Sequence, residues 1–373
     1  MPKNLNRGRR KALAGLSSLL GAAPLAALAQ QQQGRPSRPQ PPLHAGFVYV
    51  SPIGDAGWTY QHDQGRLAME RALGDRVRTS VVENVAEGPD AERVMRDLAR
   101  QGCKLIFATS FGYGEPALRV AADFPDVAFE HAGGFKTAQN LGTYNARYYE
   151  GRYLAGLVAG RSSRKGTAGY VAGFPLPEVI QGINAFALGM REANPRAIVK
   201  VVWLNAWFDP PREREAAVAL INQGADVIAN HSGSTAVAQV CEERNVGFTA
   251  YQSDMRRIAP KAQWTAVVSD WGGWYAQVAE SLLAGTWRPD PVWGGMRDGF
   301  LRLAPLGPRA APEAALLVAA RERQMAAGSL HPFSGRLVDN EGRQRQARGT
   351  MTDADIARMS WFVEGVVGSV PRA

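Results

Sequence analysis

"IVKVVWLNAWFDPPREREAAVALINQGADVIANHSGSTAVAQVCEERN", residues 198–245, holds two turns of one structural cycle. The run "IVKVVWLN" is short, β-branched and apolar, and "PREREAAVALINQG" (211–224) then places its apolar residues at helical spacing. "DVIANHS" (226–232) is again strand-like, and "TAVAQVCEERN" (235–245) is again helical. Short apolar runs separated by single helices mark parallel βαβ units, because parallel neighbours need a crossover on one face of the sheet.

The cycle extends both ways. Upstream lie a strand at "GTAGYVAGF" (166–174) and a helix at "EVIQGINAFALGMREANP" (178–195). Downstream follow "GFTAYQS" (247–253), "WTAVVSD" (264–270) and the helix "GWYAQVAESLLAG" (273–285). An earlier set repeats the pattern. Its strands are "HAGFVYV", "VRTSVVENV", "KLIFATS", "VAFEHAG" and "LGTYNAR", and its helices are "TYQHDQGRLAMERAL", "DAERVMRDLARQG", "GEPALRVAADFP" and the long "YEGRYLAGLVAGRSS". Two α/β sets in series predict two doubly wound lobes joined by a hinge. Lobe 1 is expected over 44–160 plus about 270–287, and lobe 2 over about 161–269 plus 288–373. The late "HPFSGRLVDNEGRQRQARG" predicts a β-hairpin on the second lobe.

Open parallel sheets bind ligands outside the carboxyl ends of their strands, and two facing lobes bring both sets of ends to one cleft. Trp58, in "GDAGWTYQHDQG" (54–65), follows the first strand of lobe 1. Trp207 follows the second strand of lobe 2. Two indoles at equivalent strand ends form a clamp for a flat ring, each face worth on the order of 1–3 kcal/mol by analogy with base stacking.

The amino terminus carries an address. "RGRRKALAGLSSLLGAAPLAALAQ" has a basic start, an apolar middle and a small-residue exit at Ala27-Leu28-Ala29, so residues 1–29 read as an export signal. Arg9-Arg10 suggests the twin-arginine route, although Gly8 and Ala12 keep the general secretory route open. No Cys follows the exit, so a protein without a lipid anchor is expected in the periplasm. Residues 30–42, "QQQQGRPSRPQPP", form a Gln- and Pro-rich linker expected to be disordered.

The full chain is +9, but Lys3, Arg7, Arg9, Arg10 and Lys11 lie in the signal with no acids, which leaves +4 beyond it. The remaining basic residues are scattered, and nucleic acid is excluded as the expected partner. Cys103 and Cys241 sit at a strand entrance and in a helix of different halves, and read as two lone buried thiols. Neither a metal site nor a cofactor is expected. Hydrolysis of a glycosidic bond needs paired carboxylates, for which Asp55, Asp209, Asp254 and Asp270 are the candidates by loop position. The chain lacks a dense acid cluster, a His-Glu-x-x-His and a Gly-x-Ser-x-Gly. Binding without catalysis is the expected class, and a purine nucleoside hydrolase is the remote alternative.

The sequence resembles the basic membrane protein type of substrate-binding proteins, which deliver nucleosides or purines to ABC importers. The resemblance runs from about residue 44 to 300 and rests on "GDAGWTYQHDQG", "GCKLIFATSFGYGEPALRVAADFPDVAFEHAGG", "YNARYYEGRYLAGLVAG", "FPLPEVIQGINAFALGMREANP", the 207–237 part of the opening stretch, and "AYQSDM". It implies the type I periplasmic binding protein fold, ligand capture by hinged closure, a monomer, and an ABC permease in the inner membrane as partner.

Where nucleoside binders of this type carry Ser-Phe-Asn in the first loop, this chain has Gly57, Trp58 and Thr59. The second stacking aromatic falls on Trp207. The acid and Lys that hold ribose hydroxyls are replaced by Gln252 and Ser269, with Asp254 retained and Asp270 and Trp271 following. Loss of both charged partners removes the reward for a sugar, and Trp271 is expected to fill the vacated volume. A free purine base, adenine above all, is therefore expected over the alternative of an intact nucleoside. Tyr49, Thr59, Tyr148, His231, Ser232, Gln252 and Asp254 are the expected readers of its edge.

Overall fold

The structure is a computed structural model that describes residues 41–371, so the expected export signal and nearly all of the linker lie outside the described residues. In chain order its elements begin with β1 (Leu43–Val48), α1 (Trp58–Leu73), β2 (Val77–Val82), α2 (Pro89–Arg100), β3 (Leu105–Ala108), α3 (Gly114–Asp123), β4 (Ala128–Ala132), β5 (Leu141–Ala146) and α4 (Tyr148–Ser162). Next come β6 (Thr167–Ala172), α5 (Pro177–Ala193), β7 (Ile198–Trp203), α6 (Pro210–Asn222), β8 (Val227–His231), α7 (Ala236–Arg244), β9 (Gly247–Gln252), β10 (Gln263–Ser269) and α8 (Gly272–Leu283). The chain ends with β11 (Pro291–Gly294), β12 (Leu301–Leu303), α9 (Glu313–Ala326), β13 (Leu337–Val338), β14 (Gln344–Gln346), α10 (Asp353–Ala357) and β15 (Val366–Val367).

Two sheets result. The first has the order β11-β5-β4-β3-β1-β2, with every pair parallel. The second has the order β12-β10-β9-β8-β6-β7-β15, parallel apart from the antiparallel edge β12. β1, β8 and β10 are buried at every position. That is why they read as continuous apolar runs: helices cover both faces of a parallel sheet.

Two boundaries differ from expectation. α4, expected in lobe 1, packs on α5 of lobe 2: a Cβ on Gly156 would strike the Phe186 backbone, and one on Gly189 would strike the Tyr153 backbone. Glycine lets the two helices meet backbone to backbone, so α4 is a core helix of the second lobe. β11, expected in lobe 2, pairs with β5 in the first sheet, from Pro291 opposite Thr143 to Gly294 opposite Ala146. α8 packs beside α1. The chain thus crosses between sheets at residue 147, at 270–271 and at 295–300.

The carboxyl-terminal segment closes one side of lobe 2. β13 and β14 form a short antiparallel hairpin, β15 pairs with β7, and Asn184 of α5 donates to the Trp361 carbonyl at 2.8 Å. Cys103 and Cys241 are both buried and unpaired. They belong to separate apolar clusters, and burial pushes the Cys103 thiol up to about 11 and the Cys241 thiol higher still. Among the described residues no helix is long and apolar enough to cross a membrane.

Candidate functional site

The turn after β1 sets the first indole. Gly57, at φ 99°, ends the turn, and Trp58 opens α1. The Trp58 Nε1 donates to the Thr109 carbonyl at 2.7 Å, and its ring meets His62 edge-on at 4.3 Å. Trp207 lies in the loop between β7 and α6, a helix capped by Asp209, whose carboxylate accepts from the Arg212 amide at 3.1 Å. Gly173 lies against the Trp207 ring, where a side chain would collide, and Phe174 packs against it edge-on at 4.8 Å.

Both indoles line one cavity between the lobes. Ser51, Ser110 and Phe111 join Trp58 from the first lobe, and Glu178, His231, Ser232, Tyr251 and Gln252 join Trp207 from the second. The lobes touch beside it. The Gly57 amide donates to Ser253 Oγ at 2.6 Å, and Gly57 lies so close to the Gly233 carbonyl that a Cβ there would collide with it. The structure therefore shows the cleft closed.

Glu178, in the first turn of α5, is a cavity residue that the sequence reading did not single out. Its Oε2 accepts from Asn145 Nδ2 at 2.7 Å, a bond from lobe 1 to lobe 2, while Oε1 stands 3.8 Å from His231 Nε2. Burial pushes its carboxyl up to about 7 although Asn145 opposes the shift. Its signal in the sequence was position: it follows the carboxyl end of β6, as Trp58 follows β1. His231 is held neutral, first by burial and second by the charge of Arg152. The Arg152 guanidinium is itself buried and lies 3.6 Å from the centre of the Tyr251 ring.

Several polar atoms at the cavity are buried without a partner: Gln252 Nε2, His231 Nδ1 and the Tyr251 hydroxyl. Buried polar groups are normally hydrogen-bonded, so each keeps an unused hydrogen-bonding valence. Gln252 also sits at φ 66°, an uncommon conformation for a non-glycine residue that clusters at ligand clamps. Ser232 is committed elsewhere, donating to Glu213 Oε2 at 2.8 Å, which also accepts from Ser234.

Other expected readers stand off the cavity wall. Tyr49 donates to Asp63 at 3.3 Å, and Thr59 shares a 2.7 Å bond with Ser51. Tyr148 is buried edge-on behind Tyr251, its hydroxyl unpartnered. Asp254 pairs with Arg256 and accepts from Gln263 Nε2 at 2.8 Å. Ser269 donates to Gln252 Oε1, so the Ser269 hydroxyl and the Gln252 carbonyl are committed to each other while Gln252 Nε2 stays without a partner. Asp270 is exposed and accepts from the Gly272 amide at 3.3 Å. Trp271 stands elsewhere than expected: its ring stacks on His62 at 5.0 Å in the lobe 1 core and does not line the cavity that holds the two indoles. Of the acids considered for hydrolysis, Asp55 is exposed and Asp209, Asp254 and Asp270 serve turns or caps. Among the described residues no cluster of three or more His, Cys, Asp or Glu side chains could hold a metal ion.

Comparison with known proteins agrees with this architecture. Residues 43–316 match the model of a family described as PnrA-like ABC transporter substrate-binding proteins. A purine-binding protein of Brucella abortus is 47% identical over 331 residues, spanning 88% of this chain and 94% of that protein. A Haloferax volcanii protein with the provisional name of ABC transporter glucose-binding protein is 42% identical over 329 residues, spanning 88% and 81%. A solved solute-binding protein of an ABC transporter system from Conexibacter woesei shares the fold, with a TM-score of 0.64 at 23% identity over 78% of this chain and 98% of that one. The fold is the two-lobed periplasmic binding protein fold, and the chain belongs to the Bmp family of PnrA-like ABC transporter substrate-binding proteins.

Proposed function

We propose that the protein captures a free purine base, adenine above all, between Trp58 and Trp207 in the periplasm and presents it to an ABC permease, without catalysis. The observation that carries this reading is one cavity with an indole from each lobe and unpartnered polar atoms of both kinds. Gln252 Nε2 is a donor, and Glu178 Oε1 accepts when ionised and donates when protonated. Adenine presents donors and acceptors on its edge, and a flat ring gains from stacking on both faces. The Ser269–Gln252 bond adds support, since it ties up the Ser269 hydroxyl and Gln252 Oε1 at the two positions where nucleoside binders of this type hold the sugar. The purine-binding name of the Brucella relative points the same way.

The test is mass spectrometry of ligand released from the purified protein, followed by calorimetry with adenine, guanine, hypoxanthine, adenosine and glucose. A co-purifying purine base that rebinds is the expected result. Binding of glucose without any purine would overturn it.

A further inference from the structure

A second cavity adjoins the first. The two share Phe111, Gly133, Glu178 and Trp207 as a common wall, and the second holds about 520 Å³ against about 60 Å³ for the first. Its remaining walls are largely apolar, including Phe135, Leu176, Val292 and Trp293. The nitrogens of its two side-chain amides each already donate a bond. Asn145 donates to Glu178 and its Oδ1 accepts from the Ala146 amide, while Gln181 Nε2 donates to the Ile356 carbonyl at 2.8 Å. Glu178 is its one acidic residue, and no Lys or Arg lines it.

Exposed aromatic surface concentrates here. Among the described residues the exposed aromatic side chains are Phe111 at 39%, Phe135 at 74% and Phe208 at 39%. All three line one cavity or the other, and Phe111 and Phe135 lie 6.3 Å apart, ring centre to ring centre. Trp293 is held in place, its Nε1 donating to the Ala146 carbonyl at 3.0 Å and the Arg147 guanidinium packed 4.7 Å from its ring centre. Apolar surface left open inside a cleft marks a binding site. A ribose would bring hydroxyls into this chamber and find the amide nitrogens already used and most of the wall apolar, so the walls favour hydrocarbon over sugar.

We propose that this second chamber takes an apolar substituent carried on the exocyclic amine of adenine, making N6-alkyl or N6-aryl adenines ligands of the protein. The proposal rests on the base reading above. With the ring between the indoles and its amine at Glu178, the carboxyl on the shared wall keeps the remaining N6–H as its partner. The substituent then passes into the chamber between Phe111 and Trp207.

Calorimetry with adenine, N6-benzyladenine and adenosine tests it on three proteins: the wild type, Ala357→Trp and Phe135→Ala. Ala357 is an exposed residue of the chamber wall, so the larger ring plugs the chamber without entering a core. N6-benzyladenine is expected to bind the wild type about ten- to thirtyfold more tightly than adenine, at the efficiency of drug-sized ligands. Ala357→Trp is expected to abolish that gain with adenine affinity retained, and Phe135→Ala to reduce it. Adenine binding with no gain for N6-benzyladenine in the wild type rejects the chamber and leaves the base reading intact. A gain that survives in both variants rejects the chamber as its location. Failure of adenine and N6-benzyladenine alike rejects the base reading and this proposal together.

Discussion

The two lobes present different surfaces to the same cavity. Lobe 1 offers an indole already fixed by its bond to Thr109, and hydroxyls already spent: Ser51 on Thr59, and Ser110 donating to Glu87 at 2.6 Å. Lobe 2 offers Trp207 on a loop over Gly173, together with Glu178, His231, Tyr251 and Gln252, which keep uncommitted polar atoms. The contrast teaches that two lobes of similar architecture can divide recognition. On the proposed reading one lobe supplies a rigid platform, and the other reads the edge of the ring. Selectivity then evolves in lobe 2 without disturbing the platform.

Separating the lobes breaks this division most completely. Gly57→Ala puts a methyl against the Gly233 carbonyl and a non-glycine residue at φ 99°, so closure is blocked. Adenine affinity is expected to fall on the order of 100-fold, equivalent to about 3 kcal/mol. Small-angle scattering is expected to show the wild type shrinking on loading and the variant unchanged; a variant that compacts and binds normally would remove the closure contact from the account.

Removing either indole tests the platform against its counterpart. Trp58→Ala and Trp207→Ala are each expected to weaken adenine binding roughly ten- to a hundredfold. Trp58 should cost more, because its ring is fixed before the ligand arrives. Unchanged calorimetric affinity in both folded variants would sink the clamp.

The reading lobe is tested by the sugar. Adenine is expected to bind at least about tenfold more tightly than adenosine, since charge-assisted bonds of roughly 1.5–3 kcal/mol are missing at 252 and 269. Competition titration on protein stripped of ligand by partial unfolding and refolding measures the ratio. Adenosine tenfold tighter would restore a nucleoside binder.

The smallest effect is on stability. Glu178 is raised to about 7, and Glu130, buried with Trp287 Nε1 donating to it, to about 8. A carboxyl raised on folding holds its proton more tightly in the native state. Its contribution is full below the unfolded value near 4.5 and is lost as pH rises through the folded one. These two carboxyls therefore pull stability down from pH 5 to 8, against the buried His62, His131 and His231, whose lowered values pull it up over the acid part of that range. Glu178→Gln should flatten the decline by on the order of 1 kcal/mol; a slope identical to the wild type would show that Glu178 ionises freely.

The layout was legible where burial leaves a pattern. Parallel strands covered on both faces became apolar runs, and the strand ends then located Trp58 and Trp207. Lobe membership was not legible for α4, because a helix buried on nearly all sides displays no single face to assign. Glu178 was masked by its setting, since an acid after a proline in a helical first turn reads as a partner for the helix dipole. Ser269 and Gln252 were read as a missing pair of charges; only folding brought them together as each other's partners.

The two buried thiols have a practical consequence. The thiolate is the reactive form, and Cys103 and Cys241 are both enclosed and hard to ionise. Cysteines introduced on the outer surface of each lobe would accordingly react with maleimide dyes while the native pair stays silent. Opening and closing could then be watched as energy transfer between single fluorophores, in a molecule whose interior has not been altered.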